Sequence, residues 1–434
     1  MPFGKHAAVS VLMLGLWGIA AAADPPAPLL TTVPSPADAN RPNFWNQDTL
    51  TNNWFGLGRV LQHYGVTVTL STTDVYQADV SGGLSTHNHA GRNSGKYDLK
   101  GIFDLDKLVG LPGGAVYVQA RQYWSDGINS NSVGAATNVN ANILMYHQFF
   151  VKQLYYEQKL FGDVFTLRAG RMDLANAFNM RTDKVIFDSS RYAYDETFQF
   201  LNYAFKHSPT IPFPQPGMAV LANITPVKWW YLSAAVADAD AKVQDTGFET
   251  AFHGPADAFS IYETGFRPEI PSPSGTLPGT YRAGFWYDPR FKSYLDHSGQ
   301  AKHDDLGPYL GFDQMVWREN ADPNDDQGLG LFGRWGLADK NVDPVWQSFS
   351  AGAQYQGLIP TRDKDVLGAA VGCNCISPDN HPPHSHETIL ETYYNIRVTG
   401  WLSISPDVQY IWQPARTPGA TDALVVGVRL KMSF

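Results

Sequence analysis

LVVGVRLKMSF, residues 424–434, alternates without a break. Leu424, Val426, Val428, Leu430, Met432 and Phe434 fall on one side of an extended chain, and Val425, Gly427, Arg429, Lys431 and Ser433 on the other. Successive side chains of a strand point to opposite faces, so this is one apolar face and one face carrying two cations. A soluble edge strand could share the pattern, so the ending has to be read with the rest of the chain.

The other end sets the compartment. Lys5 and His6 precede AAVSVLMLGLWGIAAAA, which closes in small residues before Asp24. The order basic, apolar, A-x-A predicts a secretory signal over 1–23, cleaved after Ala23. A membrane anchor would need about 20 apolar residues and a polar stop. An alternating last strand with a terminal Phe, in a secreted chain, resembles the assembly signal of bacterial outer-membrane barrels and places the chain in the bacterial outer membrane.

Composition agrees with that reading. After the signal, no apolar run of the 434 residues approaches a transmembrane helix. Only helices and closed barrels satisfy every backbone polar group in lipid, and barrel strands need only about 9–11 residues apiece, apolar at alternate positions. Aromatics make up 13%, with 12 Trp and 21 Tyr, which suits interfacial girdles. The formal net charge of −9 argues against nucleic acid as a partner.

Residues 24–48, rich in Pro, Ala and Asp, read as an extended lead-in. Residues 49–65 read as a short amphipathic helix with Trp54, Leu57, Val60 and Leu61 on one face and Gly65 at its stop. Residues 66–434 read as a single all-β domain, a transmembrane antiparallel barrel. Val66, Val68 and Leu70 alternate with Thr67, Thr69 and Ser71. Tyr97, Leu99, Phe103 and Leu105 oppose Asp98, Lys100 and Asp104, and Leu390, Tyr394, Ile396 and Val398 oppose Glu391, Asn395 and Arg397. Charges keep arriving mid-strand opposite apolar residues, which a wet lumen explains better than a two-sheet sandwich. GLPGG (110–114), PVKW (226–229) and SISPD (403–407) read as short turns, and 172–217 as a long connection, the kind that usually carries function.

Several segments together resemble the carbohydrate-selective porins of the OprB type. They are LTNNWFGLGRVLQHYGVTVTL, YYEQKLFGDVFTLRAGRMD, FLNYAFKHSPTIPFPQPGMAVLANITPVKWWYLSAAVADADA, GLGLFGRWGLADKN, YQGLIPTRDKDVLGAAVG and ETYYNIRVTGWLSISPDVQYIWQP, followed by DALVVGVRLKMSF. They occur in the family's order across nearly all of the mature chain. The resemblance implies 16 strands, a long loop folded inward to narrow a polar lumen, and passive uptake of monosaccharides and similar small solutes without a cofactor. Small sugars and outer-membrane lipid would be its partners, and the chain fits a homotrimer or a monomer. Trp54-Phe55-Gly56 stands where the family has Trp-Gly-Gly, and Asn202-Tyr203 where it has Asn-Ser; the second departure bears on the solute.

A sugar offers hydroxyls that donate and accept, so such a lumen needs fixed groups of both charge signs and flat aromatic faces. Strand parity nominates Arg121, Glu157, Arg168, Arg282, Arg334, Glu391 and Arg397 as inward, the planar arginine forks as rigid donors and the carboxylates as acceptors. Tyr117 and Trp286 share that parity and could stack on a sugar ring. An excess of inward arginine over glutamate keeps a second reading open, a channel of the same fold for small organic acids. A non-conducting structural or adhesive barrel is the third, and predicts a lumen plugged by bulky apolar side chains.

Other constellations are weaker. His381, His384, His386 and Glu387 in HPPHSHE could bind a divalent ion but read as a surface loop without a stiff scaffold, as do His87 and His89. Cys373 and Cys375 read as a clip within a loop hairpin, since a disulfide there would close a small ring. The run 319–328, ENADPNDDQG, lacks calcium-loop spacing and reads as a solvated extracellular loop. No G-x-S-x-G occurs, and the adjacent His207 and Ser208 would point apart on a strand, so an enzyme is not expected.

Overall fold

The computed structural model describes residues 44–176, 187–243, 258–322 and 325–434. The expected signal and all of the expected lead-in before residue 44 lie outside the described residues.

Among the described residues, sixteen long strands form one antiparallel sheet closed on itself. The first eight are β1 (Val66–Gly83), β2 (Gly91–Asp104), β3 (Gly114–Tyr123), β4 (Phe150–Leu160), β5 (Phe165–Met172), β6 (Gly217–Val227), β7 (Trp230–Asp238) and β8 (Ala258–Phe266). The second eight are β9 (Gly275–Asp288), β10 (Asp305–Arg318), β11 (Gly328–Leu337), β12 (Val345–Gln356), β13 (Val366–Ile376), β14 (His386–Arg397), β15 (Leu402–Trp412) and β16 (Thr421–Ser433). Each pairs with its neighbours in sequence, and β16 closes on β1 with Val428 opposite Tyr76 and Leu430 opposite Asp74. Leu50 N donates to Ser433 O (2.8 Å) and Phe434 N to Leu70 O (2.9 Å), which finishes the seam. Closure leaves no edge of unpaired N–H and C=O groups, the condition for a sheet in lipid.

The terminal strand keeps its expected parity. Val425, Arg429 and Lys431 are buried inside, while Val428 is 38% exposed on the outside. The same division runs round the barrel: Tyr76, Val220, Leu232, Phe285, Leu390 and Val408 form part of a continuous apolar outer surface, while Asp98, Glu157, Arg282 and Asn395 are buried within. An exposed apolar belt of this extent is a lipid-facing surface.

The short turns, including 161–164, 228–229 and 398–401, share one end with the N-terminal helix. The strand ends joined by the long connections, at Tyr123 and Phe150, Met172 and Gly217, Asp238 and Ala258, and Asp288 and Asp305, share the other. Outer-membrane barrels place short turns in the periplasm and long loops outside. SISPD (403–407) is not a turn: it lies within β15, where Ser403 and Ser405 face inward, and the turn is 398–401. The acidic run 319–328 connects β10 to β11 at the short-turn end rather than among the long loops, because β10 ends there.

Three further expectations change. The right-handed helix covers only Leu57–His63, since Asn52–Phe55 form one left-handed turn with φ of 51° to 58°. That turn swings Trp54 off the helix face onto β1, where its Nε1 donates to Val68 O (3.3 Å), and leaves Leu57 and Val60 exposed. Leu105 begins the helix Leu105–Val109 instead of ending β2, because Asp104 caps that helix by accepting from Asp106 N and Lys107 N. Cys373 and Cys375 are free thiols inside β13, two residues apart on its outer face, so they clip no hairpin.

The barrel is not an open tube. The described stretch 187–216 folds into it, packing Phe200 and Phe205 against Phe332 and Tyr393. Loop 124–149, which the sequence reading passed over, also folds inward and places Ile128, Val133 and Val139 in the same cluster. The two loops bond to each other, Ala141 N to Leu201 O (2.7 Å) and Tyr203 N to Asn138 O (2.9 Å). Each buried Phe contributes roughly 1.5–3 kcal/mol, so the aromatic content of the loops holds them inside.

Candidate functional site

Between the inward loops and the short-turn end lies a cavity of about 2240 Å³. Its walls are strand residues, its mouth is edged by the short turns, and its floor is the loop stretch Ser189, Ser190, Arg191, Tyr194, Asp195, Phe198 and Gln199. Nine cationic and ten anionic side chains line it.

Five of the nine sequence-predicted lumen residues reach this cavity: Tyr117, Glu157, Arg168, Arg282 and Arg397. Neighbouring strands bring the first three together. Arg168 Nε donates to Glu157 Oε2 (2.7 Å) and Tyr117 OH to Glu157 Oε1 (3.1 Å). The Arg168 guanidinium also lies 5.4 Å from the Tyr155 ring, which stacks on Tyr117 at 4.9 Å. Across the cavity, Arg282 Nη2 donates to Asp313 Oδ2 (2.7 Å) and its Nη1 to the loop carbonyl of Ser189. Arg397 sits 5.8 Å from the Phe198 ring and donates to Ser403 Oγ (3.4 Å). Fixed donors and acceptors thus alternate with ring faces, the mixture a polyhydroxylated solute needs.

The other four lie beneath the loops and hold them. Glu391 accepts from Leu201 N and Asn202 N. Arg334 Nη1 donates to Phe205 O (2.5 Å) and lies 3.6 Å from Asp188. Arg121 makes a two-point contact with Asp98 (2.6 and 2.8 Å), with Glu196 of the loop 3.9 Å away. Trp286 has no exposed surface and packs in the apolar cluster with Tyr309, Phe259 and Ile211, so it offers no face to a sugar. Parity along a strand gives the face of a residue, not whether a loop covers it.

The loops are clamped by carboxylates that accept backbone N–H groups. Glu387 of the HPPHSHE motif takes Ala136 N (2.6 Å), Thr137 N (3.3 Å) and Ala415 N (3.0 Å), which commits it to structure. His386 opens β14 on its outer face beside Ser385. Among the described residues no group of three or more His, Cys, Asp or Glu is placed to hold a metal, and His381, His384 and His386 form no such group. His207 and Ser208 lie in the inward loop rather than on a strand. The Ser208 hydroxyl bonds Thr210 (2.8 Å), while His207 packs between Tyr203 and Phe213, and burial pushes its imidazole pKa down to about 3.

Close backbone approach fixes the loop as well. A Cβ on inward-facing Gly336 would lie 2.3 Å from Thr210 Oγ1, and one on Gly330 2.1 Å from the Tyr192 ring. The loop half of the site was missed by strand parity. Its signal was the aromatic density of Tyr192, Tyr194, Phe198, Phe200 and Phe205, unusual for a solvated loop.

Residues 88–434 match the family described as carbohydrate-selective porin, OprB family. Porin B of Pseudomonas aeruginosa is 23% identical over 90% of this chain and 92% of its own length. The putative porin QuiX of Acinetobacter baylyi is 21% identical over 90% and 95%. Porin AaxA of Chlamydia abortus is 22% identical over 72% of this chain and 63% of its own. The high-pH structure of Pseudomonas putida OprB superposes with a TM-score of 0.79 at 20% identity, covering 90% of this chain and all of that one. The sixteen-stranded closed sheet, its lipid-facing belt and its polar cavity carry the same message, and the chain belongs to the carbohydrate-selective porin family, an outer-membrane β-barrel that forms a channel rather than an enzyme.

Proposed function

We propose that the cavity is the periplasmic vestibule of a diffusion path for monosaccharide-sized neutral solutes, narrowed where Ser189–Gln199 meets the walls bearing Arg168 and Arg282. The observation that carries this reading is the near balance of charge in the lining, nine cations against ten carboxylates. A lining without net sign favours neutral, hydroxyl-rich solutes over ions, and pairs such as Glu157 with Arg168 can exchange partners with sugar hydroxyls at little cost. Transport is downhill, with no cofactor. Within this reading residues 1–23 are a secretory signal removed before assembly, and 24–48 a Pro/Ala-rich lead-in.

Liposome swelling with the purified barrel tests the proposal, comparing glucose, a disaccharide and a sugar acid. Rapid glucose entry, altered by Arg168→Ala, supports it. Faster entry of the acid favours the organic-acid reading, and no swelling with any solute overturns the open path.

A further inference from the structure

The helix Leu57–His63 lies at the short-turn end of the barrel, and among the described residues none of 49–64 lines the cavity. Trp54 ties it to the outside of the wall, since its Nε1 donates to Val68 O (3.3 Å) and Val68 shares the outward parity of Tyr76. At about 100° per residue, Leu57, Val60, Leu61 and Tyr64 share one side of the helix, and Arg59, Gln62 and His63 the other. Leu61 is half-buried, while Leu57, Val60 and Tyr64 are exposed.

A second short helix continues this surface. Asp104 N donates to Gly65 O (2.8 Å), and a Cβ on Gly65 would lie 2.8 Å from Lys107 Cβ, so Leu105–Val109 stands against the end of the first helix. Leu108, Val109 and Leu111 are exposed there. With Phe55, the apolar side chains of the two helices run from 40% exposed at Leu108 to 89% at Phe55. Apolar groups gathered in this way mark an interaction surface.

Continuity names its occupant. Trp54 joins the first helix to the outer face of β1, which belongs to the lipid-facing belt. Phe161 and Trp229, on the turns 161–164 and 228–229 at the same end of the barrel, are also exposed and ring the foot of that belt. Tyr and Trp rings favour the boundary between acyl chains and headgroups. We infer that Leu57–His63 and Leu105–Val109 lie in the plane of the periplasmic leaflet and dock on its phospholipids, with Leu57, Val60, Tyr64 and Val109 among the acyl chains and Arg59, Gln62 and His63 towards headgroups and water. An amphipathic helix holds an interface in this way, with its apolar face about 5–10 Å into the headgroup and acyl boundary. The inference goes beyond the transport reading and does not depend on it.

The test uses the full barrel with Cys373→Ser and Cys375→Ser, and one environment-sensitive fluorophore placed through Val60→Cys, Leu57→Cys or Gln62→Cys. Each is reconstituted in phosphatidylethanolamine and phosphatidylglycerol vesicles, with or without acyl chains brominated near the carbonyl end. Circular dichroism confirms that each labelled barrel is folded. Emission from positions 60 and 57 should fall about twofold more than from position 62, as a face at that depth requires. Bromine at the methyl end of the chains should quench less. Iodide on both sides of the membrane should quench position 62 most. Equal quenching by bromolipid at 60 and 62 overturns the inference, because the helix then stands in water. Position 60 shielded from bromolipid and iodide alike overturns it too, because protein rather than lipid then covers the face.

Discussion

Glu391 on β14 accepts a hydrogen bond from the backbone N–H of Leu201 at 2.5 Å, and a second from Asn202 at 2.9 Å, across 190 residues of chain. The carboxylate thereby stands in for a strand partner that the loop lacks. The stretch 187–216 can be held in the lumen this way because a buried N–H left unpaired is costly. Glu391→Ala should release the loop, removing about 3 kcal/mol from its docking. A disaccharide should then enter liposomes several times faster while glucose changes little. If the exclusion limit stays where it was, the loop is not held by this residue.

Gly336 lets the loop approach the wall. Gly336→Val would force its side chain against Ser208 and Thr210, and overpacking of this kind costs about 1–3 kcal/mol. The expected result is a barrel that assembles but unfolds at lower temperature, with the loop newly open to proteolysis. Protection equal to wild type would count against the packing described.

Arg282→Ala removes the cation opposite Asp313, which is 3% exposed. The uncompensated carboxylate should cost about 3–5 kcal/mol of stability. It should also shift the reversal potential in a potassium chloride gradient towards cation selectivity. A shift in the anionic direction would be inconsistent with the pair as drawn.

Trp286→Ala separates core from site. The side chain is wholly buried among Tyr309, Phe259 and Ile211, so its loss should destabilise the barrel by about 3–5 kcal/mol. Glucose flux through the surviving folded barrel should remain near wild type. A loss of sugar selectivity without a loss of stability would restore the stacking role suggested by strand parity.

His207 links loop docking to acidity. Its imidazole is neutral in the fold, with its pKa pushed down from 6.5 to about 3, first by burial and then by the charges of Lys206 and Arg334. A group depressed on folding supports the folded state fully above its ordinary value. That support is lost as pH falls from about 6.5 towards 3. Channel noise from loop movement should therefore grow between about pH 5.5 and pH 4, one unit inside each of those limits, and His207→Asn should flatten part of that rise. Identical pH profiles would exclude His207 as a contributor.

Much of the molecule was legible without coordinates. LVVGVRLKMSF placed Arg429 and Lys431 inside and Val428 outside, and the structure agrees. Glu157, Arg168, Arg282 and Arg397 were nominated as inward and do line the cavity. These succeeded because the side-chain period of a strand is two, and lipid on one face with polar groups on the other writes that period into the sequence.

What parity could not decide was depth and cover. Arg121, Arg334, Glu391 and Trp286 have the same parity as the cavity residues, yet two loops lie over them. The placement of those loops depends on contacts between residues far apart in the chain, such as Ala136 with Glu387 and Leu201 with Glu391. The sequence alone determined the closed barrel and the face each strand residue presents. Only the tertiary structure decided which inward residues meet water and which hold a loop, because an N–H group without a strand partner finds its acceptor through space rather than along the chain.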